Sequence, residues 1–265
     1  MLPILLNLGV IKIYTNGAFL VLSFFWFGYF LWRDIALTSY KEEDVFDGIF
    51  AGLFGGLVIG RIVYALIHFD QFGFDLFKYL LVNGYPGINL TSFLIGFILF
   101  LFLNYNRKKI SFKKIIDYIV PPMLLALGIG YLGGFFSGTM IGTQTNFFLS
   151  LKYPNLDGTR HLTAFYGSLL FFIGSYVSYR ILFQIRKEKL FVGFNLIIFS
   201  IVYSLVVTAT SYLWAFPVKI GDLRIDFIFN LVILLTLSGY LLYHFRTFLL
   251  KLLKFKKIIP KHEKI

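Results

Sequence analysis

The chain has 265 residues, of which 58% are hydrophobic and 14% charged, and its formal net charge is +12. A soluble domain carries about 25% charged residues, so this composition excludes a single water-soluble core and calls for a bilayer as a second solvent. The basic residues fall in short segments between apolar runs, the pattern of membrane loops and not of a nucleic-acid interface, and the lack of cysteine excludes disulfides, thiolate metal sites and a cysteine nucleophile.

The first twelve residues have no basic segment and no small-residue cleavage site, which predicts no cleaved signal peptide. A spanning helix needs about 20 mostly apolar residues. Segments 13–32, 45–69, 90–103, 115–136, 162–182, 191–213 and 225–245 qualify. They predict an all-α integral membrane protein with seven transmembrane helices in one polytopic domain over 1–265. Two connections, 70–89 and 137–159, are long and rich in turn formers, such as Asn83-Gly84-Tyr85-Pro86-Gly87. Long ordered loops often carry function, which places the expected working face on their side. The tail 246–265 is basic and partly apolar, as expected of a segment resting on anionic lipid.

Charge sets the expected orientation. With the N-terminus outside and the C-terminus cytoplasmic, inner segments hold Arg33, Lys41, the cluster from Arg107 to Lys114, Arg180, Arg186, Lys187, Lys189 and the basic tail. Outer segments hold only Lys12, Lys78, Lys152, Arg160, Lys219 and Arg224. Basic residues concentrate on the cytoplasmic side. Glycines recur at intervals of four, as Gly52, Gly56 and Gly60 and as Gly130, Gly134, Gly138 and Gly142. Such ridges let helices approach closely in lipid, and they predict that the second and fourth spans pack tightly near the core of the bundle; a compatible reading is that the glycines leave room for a lipid headgroup or acyl chain. The run Gly128-Ile-Gly130-Tyr-Leu-Gly133 matches a dinucleotide fingerprint, but that motif needs a preceding strand, and here it lies within an apolar span.

Several segments taken together resemble the bacterial prolipoprotein diacylglyceryl transferases. Phe54-Gly-Gly-Leu-Val-Ile-Gly60-Arg61 is similar to that family's early glycine-arginine segment. Asp117-Tyr-Ile-Val-Pro121, followed by the glycine-rich stretch to Gly142, tracks the family's D-x-x-x-P and its glycine-asparagine signature in order and spacing. Leu94-Ile-Gly96 resembles the end of the family's H-G-G-L-I-G. Arg160-His161-Leu-Thr-Ala-Phe-Tyr166 looks like the family's R-H-P-[ST]-Q-L-Y-E. The resemblance implies seven helices in the bacterial plasma (inner) membrane, and transfer of diacylglyceryl from phosphatidylglycerol to the lipobox cysteine thiol of a prolipoprotein signal peptide. It implies no cofactor, metal or nucleic acid; the partners are phosphatidylglycerol, the signal peptide and membrane lipids.

On that reading, Arg61, Arg160 and Tyr131 bind the lipid phosphate. His161 and Arg160 are catalytic, with His161 taking the thiol proton, because imidazole titrates near neutrality. Thr91, Ser137, Thr139 and Tyr166 support them. Other roles stay open: snorkelling for Arg61, anchoring for Arg160 and His161, an aromatic belt for Tyr166, and a cap or dipole role for Asp117. The chain also departs from the pattern. Thr91 stands where the family has histidine and Tyr131 where it has arginine. Gly134 and Ser137 replace asparagines, and Thr139 and Gly167 replace glutamates. Tyr203, Val207 and Thr210 replace an arginine, a glutamate and an arginine. These losses motivate an alternative, a catalytically silent relative that binds phospholipid or lipoprotein. The charge reading has its own test: a reporter fused after Ile265 should be active only if it functions in the cytoplasm, and a periplasm-only signal would reverse the orientation.

Overall fold

The computed structural model describes residues 2–9, 12–81, 84–154, 156–216 and 224–246. Seven helices are long and apolar enough to cross a membrane. They are α1 (Thr15–Ile35), α2 (Glu42–Ile67), α5 (Leu90–Arg107), α6 (Phe112–Ser137), α7 (Thr163–Arg186), α8 (Phe194–Leu213) and α9 (Ile225–His244). Two short helices, α3 (Phe69–Phe72) and α4 (Leu76–Leu80), lie in the α2–α5 connection. Each expected span meets its helix with boundaries displaced by a few residues, since apolar length and not a cap defines it. The tail beyond Arg246 lies outside the described residues.

The all-α expectation describes the membrane portion. Two antiparallel hairpins add a cap at one end: β1 (Ile4–Asn7) with β2 (Lys12–Tyr14), and β3 (Ser150–Lys152) with β4 (Thr159–His161). Strands of three or four residues are too short to show a period-two pattern in the sequence. The Leu2 N–H donates to the Phe136 carbonyl at 3.0 Å, which ties the first hairpin to the end of α6. Segment 141–145 lies between β4 and the end of α8. His161 N–H donates to Thr143 O at 3.1 Å, and Ala215 N–H to Ile141 O at 3.0 Å.

Gly52, Gly56 and Gly60 of α2 pack closely, and the helix they face is α5. A Cβ at Gly56 would stand 2.8 Å from the Phe93 carbonyl oxygen, and one at Gly52 3.0 Å from that of Phe97. Gly96 of α5 returns the contact, since its Cβ would stand 2.8 Å from the Gly55 oxygen. Spacing by four marks a close-packing face but carries no information on which helix will occupy it. The second run is not one ridge. Helix α6 ends at Ser137, and Gly138 takes the left-handed conformation at φ 74° that closes a helix. Helix α6 packs between α1 and α7.

Helix α6 continues through Pro121 and Pro122. A proline inside a helix leaves the carbonyl four residues earlier without its donor. For Pro121 that carbonyl belongs to Asp117, and Asn195 Nδ2 donates to it at 3.0 Å. The Asp117 carboxylate accepts in turn from the N–H groups of Gly193 (2.7 Å) and Asn195 (3.0 Å). It therefore caps α8 from another helix. Asn195 Oδ1 then accepts from Ser178 on α7 at 2.9 Å, which joins three helices. At the same end, Lys108 binds Asp44 at 2.7 Å and Asp47 at 2.6 Å. These hydrogen bonds, Asp44's first, raise the Lys108 pKa. Asp117→Ala leaves the two N–H groups without their acceptor, at roughly 1–3 kcal/mol each if water does not replace it. Its melting temperature in detergent should fall below that of Asp117→Asn, which keeps one acceptor; equal values would refute the cap.

Candidate functional site

A cavity of about 500 Å³ lies between α1, α2, α5 and α6. It falls within the usual range of about 300–1,000 Å³ for ligand sites. Its wall is mostly apolar, with Leu20, Phe24, Phe27, Phe93, Phe97 and Met123 prominent. The polar groups on it are neutral: Asn16, Ser23, Tyr131, Thr139 and the indole of Trp214. Met140 and Trp214 close it on the cap side. Asn16, Ser23 and Trp214 were missed by motif reasoning, because α1 and the end of α8 meet the cavity only after folding.

The proposed site residues divide into three groups. Tyr131 and Thr139 line this cavity. Ser137 is one layer behind, bonded to Gly134 O at 3.2 Å and to the Thr139 hydroxyl at 3.1 Å. Arg160, His161 and Tyr166 sit in the cap and at the start of α7, where the wall of Met140 and Trp214 separates them from the cavity. The separation is thin. Trp214 pairs with Gly142, and a Cβ at Gly142 would stand 2.7 Å from that of His161. Arg160 Nη1 donates to Gly142 O at 3.3 Å, and the Tyr166 hydroxyl donates to Leu149 O. Arg160 Nε and His161 Nδ1 are buried, with no hydrogen-bond partner among the described residues. Such nitrogens are uncommon in a settled fold.

Arg61 stands apart from the other two groups. Its guanidinium donates to Lys78 O (3.0 Å), Tyr79 O (2.9 Å) and Gly87 O (2.9 Å), and lies 5.0 Å from the centre of the Phe72 ring. Three donors are thus spent on the last turn of α4 and on the approach to α5. The geometry makes Arg61 the clamp of the 68–89 connection. His68 is similarly occupied, with Nδ1 donating to Tyr64 O at 2.9 Å. Thr91 faces away from the main cavity and shares a hydrogen bond of 2.9 Å with the Tyr203 hydroxyl.

Comparison with known proteins fixes the family. The prolipoprotein diacylglyceryl transferase family matches residues 3–243. The chain belongs to that family. A relative from Ligilactobacillus salivarius, named phosphatidylglycerol–prolipoprotein diacylglyceryl transferase, is 24% identical over 197 residues, 71% of each chain. One of the same name from Chromohalobacter salexigens is 26% identical over 210 residues, 75% of each. A third, from Chlorobaculum tepidum, is 30% identical over 116 residues, 42% of this chain and 39% of the relative.

The departures from the diacylglyceryl transferase pattern are paired in space. Tyr131 stands for the signature arginine and Gly167 for a glutamate, and the Tyr131 ring lies where a side chain at 167 would start. A Cβ there would be 2.5 Å from Tyr131 Cδ1. Thr91 and Tyr203, at histidine and arginine positions of the pattern, bond to each other. An aromatic series, Tyr131–Phe171–Tyr203, runs on from this with ring centres 5.0 and 6.3 Å apart. The groups at these positions are neutral and satisfy and pack one another. The Tyr131–Gly167 contact should show energetic coupling. Gly167→Ala alone should lower the melting temperature, while adding Tyr131→Ala should return part of the loss, with a coupling on the order of 1–3 kcal/mol. Additive effects would remove the claim of a packed pair.

Proposed function

We propose that the protein is a phosphatidylglycerol-dependent diacylglyceryl transferase of the bacterial plasma membrane, with its cap on the outer face and its basic loops in the cytoplasm. The cavity holds acyl chain, and the chemistry occurs at its cap-side rim. The observation that carries this is the position of Arg160 and His161. They are adjacent on β4, one layer from the cavity wall, and each has a buried nitrogen with no hydrogen-bond partner among the described residues. The incoming cysteine thiol must lose its proton, and a free thiol with pKa about 8.5 is only partly ionised near neutrality. His161 accepts that proton. The thiolate sulfur attacks the glyceryl carbon of phosphatidylglycerol; a carbon–sulfur bond forms, the carbon–oxygen bond to phosphate breaks, and glycerol phosphate departs. Arg160 offers its guanidinium to the phosphate charge as it leaves.

A second reading has its own observation. The wall of the cavity carries no charged side chain among the described residues, and Arg61 is committed to loop carbonyls. On that ground the chain holds phospholipid or lipoprotein without turnover. One assay separates the two. Purified protein is mixed with phosphatidylglycerol and a lipobox peptide, and the product is read by mass. Wild type should yield diacylglyceryl peptide. His161→Ala should reduce the rate by about 10²–10⁴, the usual contribution of a positioned base, and Arg160→Ala should also lose the signal. Bound phosphatidylglycerol without product at any pH would support the second reading and end the first.

A further inference from the structure

Helices α2 and α5 pack on each other more extensively than either packs on any other helix. The contact runs along their whole length. The Tyr105 ring rests on Gly48 and the Phe100 ring on Gly55, and a Cβ at Gly60 would stand 2.7 Å from Ile88 Cγ2. Polar bonds close both ends. Lys108 binds Asp44 and Asp47 at one end, and at the other the Asn89 N–H donates to Gly60 O at 3.1 Å. The Arg61 clamp fixes the connection between the two helices. They therefore form one rigid leaf, since backbones this close cannot slide or part without losing the whole interface.

The leaf joins the rest of the bundle unevenly. Its covalent links to the other spans, 36–41 from α1 and 108–111 to α6, are short, and both lie at the basic-loop end. There the Trp32 indole donates to the Glu42 carboxylate at 2.7 Å. The half of the leaf next to these links is filled. Val45 and Ile49 of α2 and Leu101 and Tyr105 of α5 are buried in one core cluster with Ile115 and Ile119 of α6. One turn further toward the cap this packing gives way to the 500 Å³ cavity, bordered by Leu53 of α2 and by Phe93 and Phe97 of α5. The connection at the cap end, 68–89, runs from α2 to α5 and so stays within the leaf. Among the described residues, two hydrogen bonds fasten the leaf to the other spans at that end. Thr91 and Tyr203 share one of 2.9 Å, and Asn89 Nδ2 donates to Asp226 Oδ1 at 3.4 Å. A rigid pair held by chain and filled core at one end, and by two side-chain bonds beside a void at the other, has the mechanics of a hinge.

We propose that α2 and α5 swing as one leaf about the basic-loop end, widening the cavity at its cap end, and that the Thr91–Tyr203 and Asn89–Asp226 bonds are the latch. The motion breaks the two latch bonds and leaves the α2–α5 interface intact. The chain has no cysteine, so introduced cysteines take spin labels without background. Full-length protein in phosphatidylcholine nanodiscs is labelled at pairs of exposed positions. Leu66→Cys with Tyr212→Cys spans leaf and bundle at the cap end. Phe50→Cys with Phe183→Cys spans them toward the basic loops, and Leu66→Cys with Ile95→Cys lies within the leaf. Distances are read by double electron–electron resonance. Thr91→Val should raise the population of a longer 66–212 distance about fivefold, the equilibrium factor of one net hydrogen bond. The 50–183 and 66–95 distances should not move. Tyr203→Phe removes the same bond from α8 and stands in if Thr91→Val fails to fold. Asp226→Ala should act in the same direction and by less, because its bond is longer. A 66–212 distance unmoved by all three variants would overturn the hinge, and so would a 66–95 distance that changes along with it. The measurement uses no substrate. A protein without peptide transfer leaves the hinge standing, and an immobile leaf leaves the proposed activity standing.

Discussion

A polar group carried into hydrocarbon has no water to turn to, and much of this structure is the set of answers to that constraint. Pro121 withholds a donor from the Asp117 carbonyl, and Asn195 supplies one from α8. The Asp117 carboxylate meets the N–H groups that begin α8, and Ser178 ties the same asparagine to α7. Near the opposite end, Arg61 gathers three carbonyls of the 68–89 connection into one planar fork. Arg160 Nε, His161 Nδ1 and Asn230 Oδ1 are buried without a hydrogen-bond partner among the described residues.

The same constraint governs how neutral groups fill the interior beside the cavity. Removing one member of a buried charged pair leaves the other uncompensated, which is strongly destabilising. Here the departures from the family pattern occur together and their replacements touch. Tyr131 rests on the bare backbone of Gly167, and Thr91 bonds Tyr203. The result is a cavity that retains apolar volume and neutral donors. Arg160 and His161 lie outside the cavity lining, on the strand that the β3–β4 hairpin holds in register.

Helix packing follows from steric economy. The glycines of α2 bring its backbone against α5, with Phe93 and Phe97 carbonyls near van der Waals limits for any added carbon. That contact places Phe93 and Phe97 on the cavity wall. The cavity therefore exists where the close-packed α2–α5 pair stands off from α1 and α6. A closer approach there would remove the cavity.

The sequence by itself determined the seven spans, because the number of apolar residues needed to cross a bilayer is set by its thickness and can be counted. It also carried the family, through the order and spacing of Asp117-x-x-x-Pro121, the glycine-rich stretch and Arg160-His161. Only the tertiary structure decided the partners. It turned the α2 glycines toward α5, assigned Arg61 to the loop, used Asp117 to cap a distant helix, and left Asn230 Oδ1 buried without a donor among the described residues. Periodicity records which face of a helix is small, polar or apolar. It does not record which face of another helix arrives opposite, and every hydrogen bond that defines the candidate sites depends on that arrival.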